Sequence, residues 1–178
     1  AALYGPKLDF MAEDSIGRTH QVATIQLDFN LPERFDLTCV NEEGKKERIV
    51  MIHSAITGSL ERATAVLLEH LEGKLPTWLS PTQVRVLSVS DSEASEVKKI
   101  ASELKEAGVR AETDTSNETL GKKIRNGKGE KIPYILVVGK KEVGGNSVSV
   151  DRRDKGQLGS MTLGGFKEKI LEEIKTRN

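Results

Sequence analysis

His53-Ser-Ala-Ile-Thr-Gly-Ser-Leu-Glu-Arg62, residues 53–62, is the stretch whose reading decides the fold of the first half of the chain. Ahead of it, the apolar run Ile49-Val50-Met51-Ile52 predicts a buried strand, and beyond it Leu60, Ala63, Leu67 and Leu71 recur at helical spacing. The chain therefore passes from strand to helix through Thr57-Gly58-Ser59, with a histidine on the way in and an arginine in the first turn. A helix start offers free backbone N–H groups to an anion. A guanidinium beside it can hold two oxygens of a phosphate and stabilise charge building on phosphorus. The same residue could equally be a surface arginine paired with Glu61 or Glu69, and the local sequence leaves both readings open.

Working outward, KLDFMAED, RTHQVATIQLDF, FDLTCV and ERIVMIHSAI read as β-strands separated by the turn signals EDSIG, LPER and NEEGKK. Gaps this short leave no room for helical crossovers, so an antiparallel meander is expected. Cys39, in the apolar third strand, reads as a buried small residue, and His20 and His70 read as structural. Gly73 and the prolines of KLPTWLSP, residues 74–81, mark a helix stop and a linker, which places a domain boundary between residues 1–75 and 76–178. Downstream, QVRVLSV is a strand. SDSEASEVKKIASELKEAG follows as a helix with a Ser90/Glu93 capping box, an apolar face of Ala94, Val97, Ala101 and Leu104, and Gly108 past its end. VRAETD, PYILVVG and SVSVDRR read as strands, ETLGKKIRN as a short helix, and TLGGFKEKILEEIKTRN as a final helix with Phe166, Ile170 and Ile174 inward. The order β-α-β-α-β-β-α predicts an open α/β sheet with at least one hairpin.

Composition narrows the function classes. The 178 residues carry zero formal net charge, 30% charged and 37% hydrophobic residues, a globular balance with no apolar stretch of membrane-spanning length. AALYGPKLDF lacks a basic-then-apolar targeting pattern, and one cysteine cannot build a disulfide framework, so a cytosolic protein is expected. The neutral total hides an asymmetry: residues 1–75 hold eight Lys and Arg against twelve Asp and Glu, and residues 76–178 hold nineteen against fifteen. Within 121–155, ten bases face four acids, which reads either as a polyanion footprint or as a solvated lysine-rich surface.

YGPKLDF, RTHQVATIQLDFNLPERFDLTCV, IVMIHSAITGSLER and KLPTWLSP together resemble the threonyl-tRNA synthetase family, from the middle of its class II catalytic domain to its C-terminus, over essentially the whole chain. HSAITGSLER resembles the third signature motif of that class. The resemblance implies an α/β (α+β) fold class: a partial class II antiparallel sheet with one helix over 1–75, then an open mixed α/β anticodon-binding domain over 76–178. It also implies that the full enzyme activates threonine with ATP and Mg²⁺ and transfers it to threonine tRNA. Arg62 would grip the ATP phosphates, and His53 would be one of three ligands, with a Cys and another His, of a Zn²⁺ that reads threonine's amino and hydroxyl groups, a device that rejects valine. Tyr4, Gln26 and Ser59 align with the threonine pocket, and Lys7, Gln21 and Thr24 with residues near the adenylate. Thr24 and Gln26 share strand parity while Gln21 does not, so the three reach one site only through a bulge or twist.

In the second half the resemblance assigns Asn117, Arg125 and Glu142 to reading anticodon bases of a tRNA stem-loop, by the physics expected for splayed single-stranded bases. A fourth family position, usually Arg, is Asp151, for which Arg152 or Arg153 could substitute. Ser54 and Ala63 stand where the family usually has Arg and Phe. The first two class II motifs and the other two zinc ligands precede the aligned segment, as does most of the family's dimer interface. This chain alone is therefore expected to bind the anticodon stem-loop without catalysing, to hold no zinc, and to expose a sheet edge and an apolar surface. The rival class is a stand-alone, non-catalytic RNA-binding or accessory module, in which Tyr4, Lys7, Gln26, His53 and Arg62 would have no purpose.

Overall fold

The computed structural model describes residues 3–177. Ala1 and Ala2, the first residues of the stretch read for a targeting signal, and Asn178, the last of the expected final helix, lie outside the described residues. The chain divides into two compact units, Ala1–His70 and Leu71–Asn178.

The first unit is built on β1 (Lys7–Glu13), β2 (Thr19–Asp28) and β5 (Met51–Ala55), antiparallel in the order β1-β2-β5. The expected meander is interrupted between β2 and β5. A short helix α1 (Asn30–Arg34) and a separate two-stranded hairpin, β3 (Thr38–Val40) with β4 (Lys46–Arg48), intervene. ERIVMIHSAI, read as one strand, is thus two, broken at Ile49-Val50. The second piece is a strand but not a buried one, since Val50 and Ile52 are each 61% exposed. Cys39 corrects another expectation: β3 lies in the side hairpin, not the main sheet, and the thiol is exposed, 3.9 Å from a Glu47 carboxylate oxygen.

The β1–β2 ladder shifts register between Phe10 and Met11, whose partners are Ala23 and Gln21, so Val22 is an extra residue on β2. Because antiparallel partners share a face, one face carries Lys7, Asp9, Gln21, Thr24, Gln26 and His53. The other carries Leu8, Phe10, Ile25 and Ile52, which are 41–61% exposed. Helix α2 (Leu60–His70) follows the Thr57-Gly58-Ser59 turn, where Gly58 has φ 63° and a Cβ would stand 3.1 Å from the Gln21 carbonyl. Its expected apolar stripe is only half covered: Leu60 remains 73% exposed, and Ala63, Val66 and Leu67 line a cleft of about 300 Å³ with Val22 and Ile56.

The second unit holds a five-stranded sheet in the order β10-β9-β8-β6-β7. Its strands are β6 (Val84–Ser88), β7 (Ala111–Asp114), β8 (Tyr134–Val138), β9 (Ser147–Arg152) and β10 (Gly156–Thr162), with β6 parallel to β7 and β8 and the rest antiparallel. Two elements escape the sequence pattern. Strand β10 contains Gly156 and Gly159 at φ 72° and 85° and a register shift, a composition that hides a strand. Helix α5 (Lys140–Gly145) contains two glycines. Helices α3 (Ala94–Glu106) and α6 (Leu163–Thr176) cover one face. Val97, Ile100, Ala101, Leu104, Phe166 and Ile170 meet Val84, Val86, Tyr134, Leu136, Val148 and Val150 in one buried cluster. The Ser90 N–H donates to the Glu93 carboxylate at 2.9 Å ahead of α3, and Gly108 at φ 88° ends it. Helix α4 (Leu120–Gly129) lies on the opposite face, where a Cβ on Gly127 would stand 2.9 Å from the Ile135 side chain. Among the described residues no helix is long and apolar enough to cross a membrane.

Candidate functional sites

In the first unit the Val22 bulge brings Gln21 onto the face of Thr24 and Gln26. There, three candidate residues converge on one carboxylate that the sequence reading passed over. Lys7 Nζ lies 2.7 Å from Asp9 Oδ2, while the Thr24 hydroxyl and the Gln21 amide donate to Asp9 Oδ1 at 2.7 and 2.8 Å. The Lys7 ammonium, with the Thr24 hydroxyl, holds the Asp9 carboxyl below its ordinary range. Asp9 was legible in principle, since it sits two residues from Lys7 on the same face.

At the other end of this face Gln26 pairs in register with His53, and the Tyr4 ring meets the His53 ring edge-on at 6.1 Å. Tyr4 reaches this place because the segment ahead of β1 runs beside β2, with the Leu27 N–H bonded to the Pro6 carbonyl and the Phe29 N–H to the Tyr4 carbonyl. Only glycine fits between them at position 5, because a Cβ there would stand 2.2 Å from the Leu27 carbonyl oxygen. His53 Nε2 lies 2.8 Å from Asp28 Oδ2, and Asp28 is buried while accepting the Asn30 and Leu31 N–H groups at 2.9 and 3.0 Å. Burial works against ionisation of Asp28, but those amides and His53 outweigh it and lower its pKa. A carboxylate behind one ring nitrogen fixes an imidazole and leaves Nδ1 open, the arrangement usual behind a metal-ligating histidine. Yet among the described residues no three His, Cys, Asp or Glu side chains are grouped to hold a metal. His53 by itself does not make a zinc site.

Arg62 sits in the first turn of α2, where its N–H bonds the Ser59 hydroxyl at 3.2 Å and that hydroxyl donates to Glu61 at 2.9 Å. Ser59 is thus occupied in shaping the helix start. Glu69 is taken by Arg18 at 2.7 Å, so neither carboxylate offered to Arg62 by the sequence pairs with it. Among the described residues the guanidinium has no acidic partner, and it shares the cleft with Gln21, His20 and His70. His20 is structural, its Nε2 lying 3.0 Å from Asp14. His70 closes the C-terminal end of α2.

In the second unit Asn117 and Arg125 are exposed, the first between β7 and α4 and the second on α4. Glu142 caps α5, accepting the Gly139 N–H at 3.0 Å. Asp151 lies on β9, buried, with Oδ2 2.7 Å from Lys128 Nζ. Neither neighbouring arginine replaces it at the surface. Arg152 pairs with Glu173 at 3.0 Å and lies 5.5 Å from the Tyr134 ring centroid, while Arg153 donates to the Leu75 and Lys131 carbonyls at 3.0 and 2.9 Å. The basic run also shrinks on inspection. Lys123 is buried with its ammonium on the Ser88 carbonyl and hydroxyl, and Lys122 pairs with Glu118. Among the described residues of the run, the exposed Arg125, Lys131, Lys140, Lys141 and Lys155 hold no ion pair, so the accessible charge is spread over α4 and the turn after it, the start of α5 and the β9–β10 turn rather than forming a continuous stripe.

Comparison with known proteins assigns both units. Residues 83–173 match the family model described as anticodon binding domain, and residues 1–71 match the tRNA synthetase class II core domain (G, H, P, S and T). Threonine–tRNA ligase of Thermus thermophilus is 50% identical over 177 residues, and that of Clostridium tetani 48% over 176, each covering 99% of this chain. The chain spans only 27% and 28% of those relatives' lengths. The RNA binding domain of threonyl-tRNA synthetase from Cryptosporidium parvum superposes with a TM-score of 0.87 at 43% identity, over 96% of this chain and 44% of that one. A putative threonyl-tRNA synthetase from Aeropyrum pernix gives 0.66 at 31% identity, over 99% and 43%. With both sheets, the strand-to-helix turn and the sequence matches in agreement, the chain belongs to the anticodon-binding domain family of class II tRNA synthetases, preceded here by a length of class II core of the threonine–tRNA ligase kind.

Proposed function

We propose that this chain binds the anticodon stem-loop of threonine tRNA through residues 76–178, and that residues 1–75 are the C-terminal half of a class II catalytic domain that activates threonine only together with the motifs the full enzyme supplies. The observation that carries the RNA reading is the exposed Arg125, without an acidic partner, in a unit of the anticodon-binding family. Asn117 stands nearest to it in sequence as a second polar contact, and Glu142 offers an acceptor for base N–H groups once its cap is shared.

In the full enzyme Arg62 would neutralise ATP phosphates, aided by Mg²⁺, from the mouth of the cleft. Gln21, Thr24 and Lys7, held together by Asp9, would line the adenylate side. Tyr4, Gln26 and Ser59 would border threonine, with His53, oriented by Asp28, donating one nitrogen to a Zn²⁺ whose other ligands come from elsewhere. The Zn²⁺ would supply a ligand position for the threonine hydroxyl. Among the described residues the donor set is incomplete, so for this chain alone we expect no threonine-dependent exchange of pyrophosphate into ATP and no zinc held at one per chain. We place this role in the cytoplasm.

Binding of the full chain to a labelled anticodon stem-loop tests the RNA reading. Arg125→Ala should weaken cognate binding by about 1–3 kcal/mol, and more than binding of an unrelated loop. Equal loss on both loops reduces Arg125 to a phosphate contact, and failure of the wild-type chain to bind RNA overturns the proposal. Metal analysis finding one tightly held zinc per chain would overturn the account of His53.

A further inference from the structure

Asp151 is the anomaly of the second unit. Its residue is 7% exposed, one oxygen is taken by Lys128, and the other, Oδ1, is buried with no hydrogen-bond partner among the described residues. Buried polar atoms without partners are rare enough that each calls for an explanation. The carboxylate is not part of the packed core, because Asp151 and Ser149 point to the face opposite the Val148 and Val150 side chains. On that face their register partners are Gln157 and Ser160 of β10, both exposed.

Lys128 comes to this carboxylate from the last turn of α4, one step of three residues from Arg125 and so on the same side of the helix. Its side chain is 49% exposed although its ammonium is anchored. A lysine normally presents a mobile point charge. Here the charge is balanced and the position fixed, leaving two N–H donors aimed by the anchor. A balanced ammonium gains less from a phosphate than a free one. It retains directional donation, which suits a neutral acceptor.

We propose that Lys128 is a specificity-determining residue for RNA, donating to the keto oxygen of a splayed base (uracil O4 or guanine O6), and that Asp151 is its positioning residue. The assignment rests on the anticodon-binding reading given above. An amino group at the same place on cytosine or adenine would set donor against donor, so the Lys128–Asp151 pair discriminates keto from amino bases at one position of the loop. Arg125, unpaired on the same helix face, supplies the charge that Lys128 does not.

The test measures binding of the full chain to the anticodon stem-loop and to loops in which each anticodon base is exchanged between keto and amino partners, across a salt series. Lys128→Ala should lose 5- to 50-fold on the cognate loop, erase the keto preference at one position, and leave the salt slope nearly unchanged. Asp151→Asn, close in shape, removes a negative charge, so electrostatics alone would tighten every loop. The proposal instead has the cognate loop weaken while non-cognate loops hold or gain, and has the double variant no worse on the cognate loop than Lys128→Ala. Equal loss of all loops with a shallower salt slope in Lys128→Ala would make it a phosphate contact and overturn the proposal. Tighter cognate binding by Asp151→Asn would overturn the positioning role. Wild-type binding without any effect of Lys128→Ala rejects this inference alone, whereas no RNA binding by wild type rejects the reading beneath it.

Discussion

Ala63→Phe is the most informative substitution in the first unit, because the two outcomes open to it have opposite signs. Ala63 lines the cleft of about 300 Å³ with Val22, Ile56, Val66 and Leu67, and α2 buries no residue fully. A phenylalanine ring fully withdrawn from water is worth about 2–3 kcal/mol. The cleft is open on one side, so about half of that, roughly 1–1.5 kcal/mol, is expected. For a domain of this size each kcal/mol raises the melting temperature by about 4–8 °C, giving a rise of about 4–12 °C. Calorimetry should place that rise in the transition of the first unit and leave the second unit's transition unmoved. Sedimentation or light scattering of the same samples should show no added self-association. An unchanged or lower melting temperature with more association would show that the ring stays outside the cleft and enlarges the exposed apolar face, which would refute the cavity argument.

Acid should unfold the first unit early: Asp9, Asp14 and Asp28 are all held below the ordinary carboxyl range in the folded chain, Asp14 through His20 and Arg18. Depressed carboxyl groups contribute stability that is complete above the unfolded value and is lost as protons bind, so the midpoint in urea should fall from about pH 5 downward; a flat profile to pH 3 would contradict this. Tyr134→Phe removes a hydroxyl that donates to Glu173 at 2.6 Å, and should destabilise the second unit by about 1–2 kcal/mol in denaturant titrations, with no shift if Arg152 and the Thr77 hydroxyl suffice for Glu173. Gly5→Ala forces a Cβ to within 2.2 Å of the Leu27 carbonyl, so the segment around Tyr4 should detach from β2, seen as fast amide exchange at Leu27 and Phe29; retained protection would show the backbone can yield.

Sequence alone carried the second unit further than the first. The faces of α3 and α6 were readable because their apolar residues return at helical spacing and meet a complete sheet. The same rule misjudged Ile49–Ile52 and Cys39, since hydrophobicity reports burial only when a partner surface exists, and three strands with one half-covered helix do not supply it. Strand β10 was missed because its glycines carry no periodicity and its pairing is decided by β9. Among the candidate site residues, Lys7, Gln21 and Thr24 were named from the family resemblance, and strand parity alone required a bulge or twist to bring them to one face. Of the aspartates that organise this face, Asp9 could be placed beside Lys7 by strand parity, whereas Asp28, which holds His53, could not, because a carboxylate's role is set by what folds against it. Asp151 shows the same limit: its identity is visible in the sequence, while its pairing with Lys128 depends on the contact between α4 and β9.

The extra residue at Val22 has a bearing on how the first hairpin finds its pairing. Residues 7–10 and 11–13 meet β2 in registers that differ by one residue, so the ladder consists of two short zippers with a fixed joint. A slip of the whole strand that satisfied one zipper would leave the other with its faces exchanged, Lys7 and Asp9 turned among apolar side chains and Leu8 and Phe10 among polar ones. No single sliding motion yields a second acceptable alignment. The joint therefore acts as a tooth that admits one alignment, and deleting Val22 should leave a hairpin that still forms but samples more than one register, visible as doubled amide resonances along β1.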